Sequence, residues 1–417
     1  MQVRDKPLTA HQIATSLPFH KNALRARLNR ARHRTDELFE LLDPKVLYQR
    51  PVAERHRIVF YLGHLEAFDW NQACRKGLGA SSFHASFDHL FEAGIDPEPG
   101  QGPVDTESDW PPLQEIRDYN RMARQHLDAL LPETPDERLE RVIEHREMHA
   151  ETFAYLLHNL PQEHKRVSAS AVHFKEVAAG ANPSLEIPAG AAWLGAPRGE
   201  FGWDNEFERH AVDVAGFRIS KFKITNREYL GFAAETGVIP HFWRRRGDSL
   251  WWRGMFTDTP LPLDHPVMVT HEEASAYAAW RGMALPSEEQ YQRAAYGSSW
   301  DRYPWGDHEP GPHRGNFDFY SWGPTGVAST PGGDSRFGVS QLVGNGWEWT
   351  SSLFEPFAGF RPMEGYEGYS QPFFDGDHYV VKGGSWRTAR GLLRASFRNW
   401  YRPKYRYVYA TFRLASR

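Results

Sequence analysis

TPDERLERVIEHREMHAETFAYLLHNL, residues 134–160, is the stretch on which the reading of the first half turns. It opens with the start signal Thr134-Pro135, contains no internal Pro or Gly after the first turn, and stops at Pro161. Leu139, Val142, Phe153, Leu156 and Leu160 recur at helical spacing, which predicts one helix over 134–160 with an apolar stripe. His145 and His149 continue that stripe, so both imidazoles are expected one turn apart and facing a core. Working outward, three more helices are expected: 20–42, with few breakers; 53–76, between Pro51 and Gly77; and 113–131, after Pro111-Pro112. Four such helices predict an antiparallel bundle, with a long ordered excursion over 80–112 between the second and third.

At 417 residues the chain is too long for one ordinary domain, so the bundle is only its first part. Residues 163–185 read as a polar connection. Beyond them the pattern changes to short apolar runs broken by Gly, Pro, Asn and Asp, dense in Trp and Tyr. Only two or three helices stand out there, around 225–236, 271–281 and 286–296. No 20–50-residue period marks a propeller or solenoid. This predicts a loop-rich α+β domain pinned by buried aromatics and turn chemistry. The expected division is 1–162 for the bundle, 163–185 for the linker and 186–417 for the second domain.

Composition excludes several functions. A net charge of −4 leaves no global basic field for nucleic acid. Arg25–Arg34 and Arg244-Arg245-Arg246 read as solvated faces. No apolar run approaches the roughly 20 residues of a membrane span, and the N-terminus lacks a secretory pattern, so a cytoplasmic protein is expected. The single cysteine, Cys74, rules out an internal disulfide, a CxxC pair and a thiolate zinc cluster, and reads as a small core residue. Any metal must be held by imidazole and carboxylate.

His145-Arg146-Glu147-Met148-His149 offers such a pair. The zinc-protease pattern HExxH needs Glu directly after the first His, where Arg146 stands; Glu147 lies about 200° around the helix from His145. A third ligand is available at His64, beside Gly63, which would let a neighbouring group come close. Three neutral imidazoles would leave about half of an octahedral Fe(II) sphere open. Among 20 histidines, a bare HxxxH is also compatible with packed core or surface residues.

The second half carries, in order, Ile187-Pro188-Ala189-Gly190, Trp203-Asp204-Asn205-Glu206, Thr225-Asn226-Arg227-Glu228-Tyr229, His265-Pro266-Val267 and Leu285-Pro286-Ser287-Glu288-Glu289. Tyr303-Pro304-Trp305-Gly306, Gly344-Asn345-Gly346-Trp347-Glu348-Trp349-Thr350, Gly383-Gly384-Ser385-Trp386 and Phe412-Arg413-Leu414 follow. This resembles the sulfatase-modifying-factor, or formylglycine-generating-enzyme-like, domain over about 185–417. That half has no cysteine, so the thiol chemistry of true formylglycine-generating enzymes is not expected. A DinB-like bundle with three histidines ahead of this domain resembles the non-haem iron sulfoxide synthases of ergothioneine biosynthesis; Trp203–Glu206, Pro356–Phe360 and Arg398-Asn399-Trp400 fit that branch. The fold class implied is α plus α+β: a DinB-like four-helix bundle, then a loop-rich, C-type-lectin-like or formylglycine-generating-enzyme-like domain.

The resemblance implies Fe(II) held by His64, His145 and His149. It also implies an O2-dependent bond between a thiol sulfur and an imidazole carbon of hercynine, a histidine betaine, giving a sulfoxide. Asn399 and Trp400 are implied contacts to the amino-acid end of that substrate. Trp400 and neighbouring tyrosines could face the quaternary ammonium, worth about 0.5–2 kcal/mol per good contact. Most of Trp203, Trp305, Trp347, Trp349 and Trp386 are expected in the core.

Departures follow from the same resemblance. Met148 stands where Gln often faces the imidazole; Phe354 stands where the catalytic Tyr is expected, and Phe357 at its companion. Tyr401 replaces the carboxylate after Asn-Trp and is the substitute expected for acid/base or hydrogen-bonding work. Residues 78–112 read acidic (Asp96, Glu98, Asp105, Glu107, Asp109), which favours a small thiol such as cysteine. Features around Phe60–His64 and Phe83–Asp96 also resemble the ovothiol branch, which joins cysteine to histidine. A thiol dioxygenase and a metal-free binding module are the remaining alternatives.

Overall fold

The computed structural model describes residues 10–92 and 103–416, with side chains from His20 onward. Asp96, Glu98 and the extreme N-terminus lie outside the described residues. The chain divides into two compact units, Met1–Phe153 and Ala154–Arg417.

The first unit is helical. Its elements are α1 (Ala10–Glu40), α2 (Ile58–Asp69), α3 (Lys76–Leu78), α4 (Ala85–Leu90), α5 (Leu113–Leu130) and α6 (Asp136–Asn159), the last of which passes the division point. All four predicted helices are present. The second starts five residues later than expected, at Ile58, because Arg57 is held outside it, donating to Asp105 and to the Tyr48 carbonyl. It runs on through a π-helical turn, Trp70–Arg75, before α3. Apolar residues at helical spacing make the core: Leu24, Leu28 and Leu38 of α1; Ile116, Tyr119, Ala123 and Leu127 of α5; Leu139, Val142 and Phe153 of α6.

Of the acids read in the excursion, Asp105 is neutralised, while Glu107 and Asp109 are exposed. Asp105 accepts from Arg50 (2.7 Å), Arg57 (2.8 Å) and the Trp110 indole (2.8 Å). In the basic run of α1, Arg27 pairs with Glu140 and the buried Arg32 with Asp128, whereas Arg30 is exposed, as a solvated face requires. Cys74 is buried, and burial pushes its thiol up to about 12, which leaves it protonated and inert.

Among its described residues, the second unit holds eleven short strands. They are β1 (Ser184–Ile187), β2 (Gly190–Leu194), β3 (His210–Val214), β4 (Phe217–Ser220), β5 (Trp243–Arg246), β6 (Ser249–Arg253), β7 (Asp258–Pro260), β8 (Trp347–Leu353), β9 (Tyr379–Lys382), β10 (Asn399–Tyr401) and β11 (Ala410–Thr411). The largest sheet runs β10-β9-β8-β11, antiparallel except for β11 alongside β8. Helices α7 (Asn226–Thr236), α8 (His271–Trp280) and α9 (Glu288–Tyr296) sit where expected. Each begins with a capping box, Thr225/Glu228, Thr270/Glu273 and Ser287/Gln290. Arg244, Arg245 and Arg246 are exposed on β5, at the edge of the three-stranded β5-β6-β7 sheet.

The motifs of this half meet as buried charge nodes. Glu348, fully buried in the Trp347-Glu348-Trp349 motif, is gripped by Arg413 Nη2 (2.7 Å) and Lys223 Nζ (2.8 Å); Lys223 also donates to the Gly346 carbonyl (2.9 Å). Burial alone would raise the Glu348 carboxyl, but Arg413 and Lys223 more than offset that and hold it low. Gly344, Asn345 and Gly346 all take positive φ (85°, 59° and 119°), a turn that glycine and asparagine tolerate. Glu206 forms a second node, accepting from Arg394 Nε and Ser396 Oγ (both 2.7 Å). Trp203, Trp347, Trp349 and Trp386 are buried, as the aromatic count implied. The connection after residue 164 has no regular element but is tied down: Val172 N–H donates to the Tyr320 carbonyl (2.8 Å), and Glu176 pairs with His265 (3.1 Å).

Burial holds His271 and His241 down to about 4 and His158 well below its usual range. An unfolded chain takes up these protons from about pH 6.5 downward, while the folded one refuses them. The stabilisation is therefore complete above pH 6.5 and is lost as pH falls toward 4. Melting curves at pH 7 and pH 5 should show a clear drop at pH 5, and His271→Gln should make that drop smaller.

Candidate metal centre

Helix α2 places His64 and α6 places His145 and His149 in one cluster, buried at 3%, 2% and 6% exposure. One ring nitrogen from each lies within 4.8 Å of the other two. Among the described residues no other three His, Cys, Asp or Glu side chains come together this way. The i, i+4 spacing of His145 and His149 stacks them on one face of α6, with ring centroids 4.3 Å apart. On α2, Phe60, His64 and Phe68 repeat every fourth residue. Phe60 stacks on His64 (4.8 Å) and Phe68 lies flat on His145 (3.3 Å), so aromatic walls fix both rings.

The state of the rings suits ligation. Burial, followed by the neighbouring charges, pushes His64 down to about 4 and His145 and His149 well below the usual imidazole range. They are neutral at physiological pH, as a metal ligand must be. His64 Nδ1 lies 2.7 Å from the Phe91 carbonyl, which can only accept. Nδ1 therefore carries the proton and Nε2 keeps its lone pair for a ligand. His149 Nδ1 is buried with no hydrogen bond among the described residues, a cost that coordination would remove. Three such donors can hold a metal ion, and their softness and neutrality fit Fe(II) among others.

Sequence reading missed Phe91. Its carbonyl orients His64, and its ring covers Gly63, where any Cβ would collide with it. The group that Gly63 admits is thus Phe91 itself. Gly63→Ala is expected to displace Phe91, release His64 Nδ1 and weaken metal affinity about 10–100-fold, the usual effect of losing such a partner; metal titration of the apo protein measures this.

Arg146, which breaks the zinc-protease pattern, points away from the histidines into a buried network. It meets Asp69 Oδ2 (2.6 Å), Glu66 Oε2 (2.9 Å), Thr35 Oγ1 (3.2 Å) and the Leu65 carbonyl (3.1 Å). Arg124 joins Glu66 (2.6 Å) to Asp36. The network ties α1, α2, α5 and α6 together behind the metal face.

The other candidate residues fall as follows. Met148 is half-buried on α6 in the first unit. In the second unit, Asn399, Trp400 and Tyr401 form β10 and are all half-buried. Trp400 stacks on Phe354 (4.0 Å, 8°), and Phe354 is itself 1% exposed. Phe357 lies under the Arg398 guanidinium (4.1 Å), which pairs with Glu288 (3.0 Å). Asn399 Nδ2 donates to the Tyr401 hydroxyl (3.1 Å). Tyr369 and Phe373 complete the aromatic surround of Trp400, each at 5.5 Å.

Residues 171–417 match the family model of the sulfatase-modifying factor enzyme 1-like domain, and residues 27–165 that of the DinB superfamily. The hercynine oxygenase of Mycolicibacterium smegmatis is 36% identical over 321 residues, covering 69% of this chain and 74% of that protein. The hercynine oxygenase of Mycobacterium tuberculosis is 40% identical over 240 residues, covering 51% of this chain and 55% of the relative. Ergothioneine biosynthesis protein 1 of Neurospora crassa is 26% identical, covering 89% of this chain and 55% of its own length. The chain thus spans only about half the length of two of these relatives. No helix among the described residues is long and apolar enough to cross a membrane.

Proposed function

Since the chain belongs to the sulfatase-modifying factor enzyme 1-like family over residues 171–417 and to the hercynine oxygenase family over most of its length, we propose that it is an Fe(II)- and O2-dependent sulfoxide synthase of ergothioneine biosynthesis. It joins the sulfur of cysteine or a cysteine derivative to the imidazole of hercynine: thiol, imidazole C–H and O2 give the sulfoxide and water. It acts on small molecules, not nucleic acid or membranes, and works in the cytoplasm. The observation that carries the reading is the buried, neutral cluster of His64, His145 and His149 in a chain with hercynine oxygenase relatives.

When bound, Fe(II) supplies the one-electron chemistry that lets dioxygen react with a thiol. The protein's own residues do the rest. His64, with its tautomer set by Phe91, and His145 and His149 hold the ion without adding charge. Asn399 hydrogen-bonds and Trp400 faces the cationic amino-acid end of the betaine, with Phe354 and Phe357 backing that wall and Met148 giving the imidazole an apolar neighbour. Tyr401 moves the proton that the family's missing phenol would move.

The test is protein purified without oxygen, loaded with iron and given hercynine or histidine plus cysteine. One iron per chain, substrate-dependent oxygen uptake and a sulfoxide product are expected; neither uptake nor product would sink the proposal. The histidine arm separates an ovothiol-type enzyme. Phe354 favours one second reading, a thiol dioxygenase, because it has no proton to give. Mass spectrometry separates the two, since a sulfinate lacks the bond to imidazole.

A further inference from the structure

Helix α2 does not stop at Asp69 but widens into the π turn Trp70–Arg75, where the Lys76 N–H reaches back five residues to the Asn71 carbonyl. Such turns are rare and often mark functional sites, because the extra residue displaces the side chains around it. Here Asn71, Arg75 and Lys76 line a cavity of about 280 Å³ together with Gly79, Ala80 and Glu92. That is close to the lower end of the about 300–1,000 Å³ of small-molecule sites, and roughly nine waters' worth of liquid, enough for a free amino acid. Gly79 turns the chain at φ 71°, with open space where a Cβ would stand.

Charges of both signs surround this cavity, and they are not closed on one another. Asp88, the carboxylate beside Arg75, is buried and already accepts from Ser82 Oγ (2.6 Å) and the Tyr119 hydroxyl (2.8 Å). Arg75 Nη1 stands 3.5 Å from it, longer than a good hydrogen bond, and donates instead to the neutral Asn71 Oδ1 (3.0 Å). The guanidinium is thus left without a hydrogen-bonded carboxylate among the described residues. Lys76 Nζ meets Glu92 Oε1 (3.2 Å), but both side chains are more than a third exposed, so the pair is weak and opens readily to a ligand.

We propose that this cavity binds a small amino-acid zwitterion, its carboxylate on Arg75 and Lys76 and its ammonium on Glu92. A dianion would meet Glu92, and a diamine would meet the two cations; a zwitterion satisfies both sides. The site is separate from the histidine cluster, since Asn71 lies seven residues past His64, about 10 Å along the helix. It is also independent of the oxygen-dependent reaction proposed above. A bound zwitterion ties the π turn to the segment that follows α4, which the test reads directly.

The probe is L-glutamine, a zwitterion with neither imidazole nor thiol, added to the full chain without iron. Isothermal titration calorimetry should show one glutamine per chain, and hydrogen exchange over residues 70–80 should slow several-fold on binding. Arg75→Gln and Glu92→Gln, at half-buried and exposed positions, each remove one charge-assisted hydrogen bond and should weaken binding about tenfold or more. Ala80→Phe fills the cavity without touching its charges and should abolish binding, with melting curves checking that each variant is folded. Glutarate, which lacks the ammonium, and 1,5-diaminopentane, which lacks the carboxylate, should bind at least about tenfold more weakly than glutamine. Glutarate binding as tightly as glutamine would mark a plain anion site and overturn the zwitterion assignment. Glutamine binding that leaves exchange over 70–80 unchanged, or that survives Ala80→Phe, overturns the site, as does no binding at all.

Discussion

His149→Ala is expected to lose iron outright while keeping its fold. Structural zinc sites release about 10–16 kcal/mol from four ligands, so one ligand is worth about 3 kcal/mol, or more than about 100-fold in affinity. Here the loss is felt fully, because the cluster supplies only three imidazoles and each is already neutral and buried. The vacated space sits against Tyr61 and His64, whose rings lie 6.2 and 4.9 Å from that of His149, and costs about 1–3 kcal/mol of stability. Iron analysis after anaerobic loading, with a melting curve alongside, checks both. Full iron occupancy in His149→Ala would remove this residue from the ligand set. His145→Ala should behave alike, with the added release of the Phe68 ring that lies on it.

The second large effect is on the scaffold. Arg146→Ala should destabilise the first unit by about 3–5 kcal/mol, because it leaves Glu66 and Asp69 buried without their shared guanidinium. Glu66 keeps Arg124, but Asp69 is left worse off: burial already raises its carboxyl, and Arg146 is the charge that opposes this. Chemical denaturation measures the loss. The triple replacement Arg146→Met/Glu66→Leu/Asp69→Leu should recover most of it, since an apolar trio of similar volume incurs no desolvation cost. A recovery would show that the network stabilises through paired charge rather than through shape, and iron loading of the triple variant would show whether it also aligns the histidines.

Much of the first unit was legible because helical periodicity is local. The stripe through Leu139, Val142 and Phe153 marks α6 within two residues of its observed ends, and the same periodicity puts His145 and His149 on one buried face. The late start of α2 was not legible, since it depends on Arg57 reaching Asp105, 48 residues away. His64 lies 81 positions before His145, and no spacing rule links them; its place beside Gly63 on the second helix made it available as a third ligand, and the resemblance assigned it that role. The role of Phe91 left no trace in residue type, because the group that orients His64 is a backbone carbonyl, which every residue has.

By itself, then, the amino-acid order determined the helices, the switch to a loop-rich second half, the capped starts of α7, α8 and α9 and the pair of histidines one turn apart, since all of these arise between residues close in the chain. Only the tertiary structure decided what the distant pieces do to one another. It turned Arg146 from a broken motif into the centre of a buried charge network. It joined Glu348 to Lys223 and Arg413, and Glu206 to Arg394. It also stacked Phe354 beneath Trp400. The physical reason is the same in each case. Helix and cap energies depend on neighbours within about four residues, whereas desolvation, ion pairing and ring contact depend on which distant groups exclude water together.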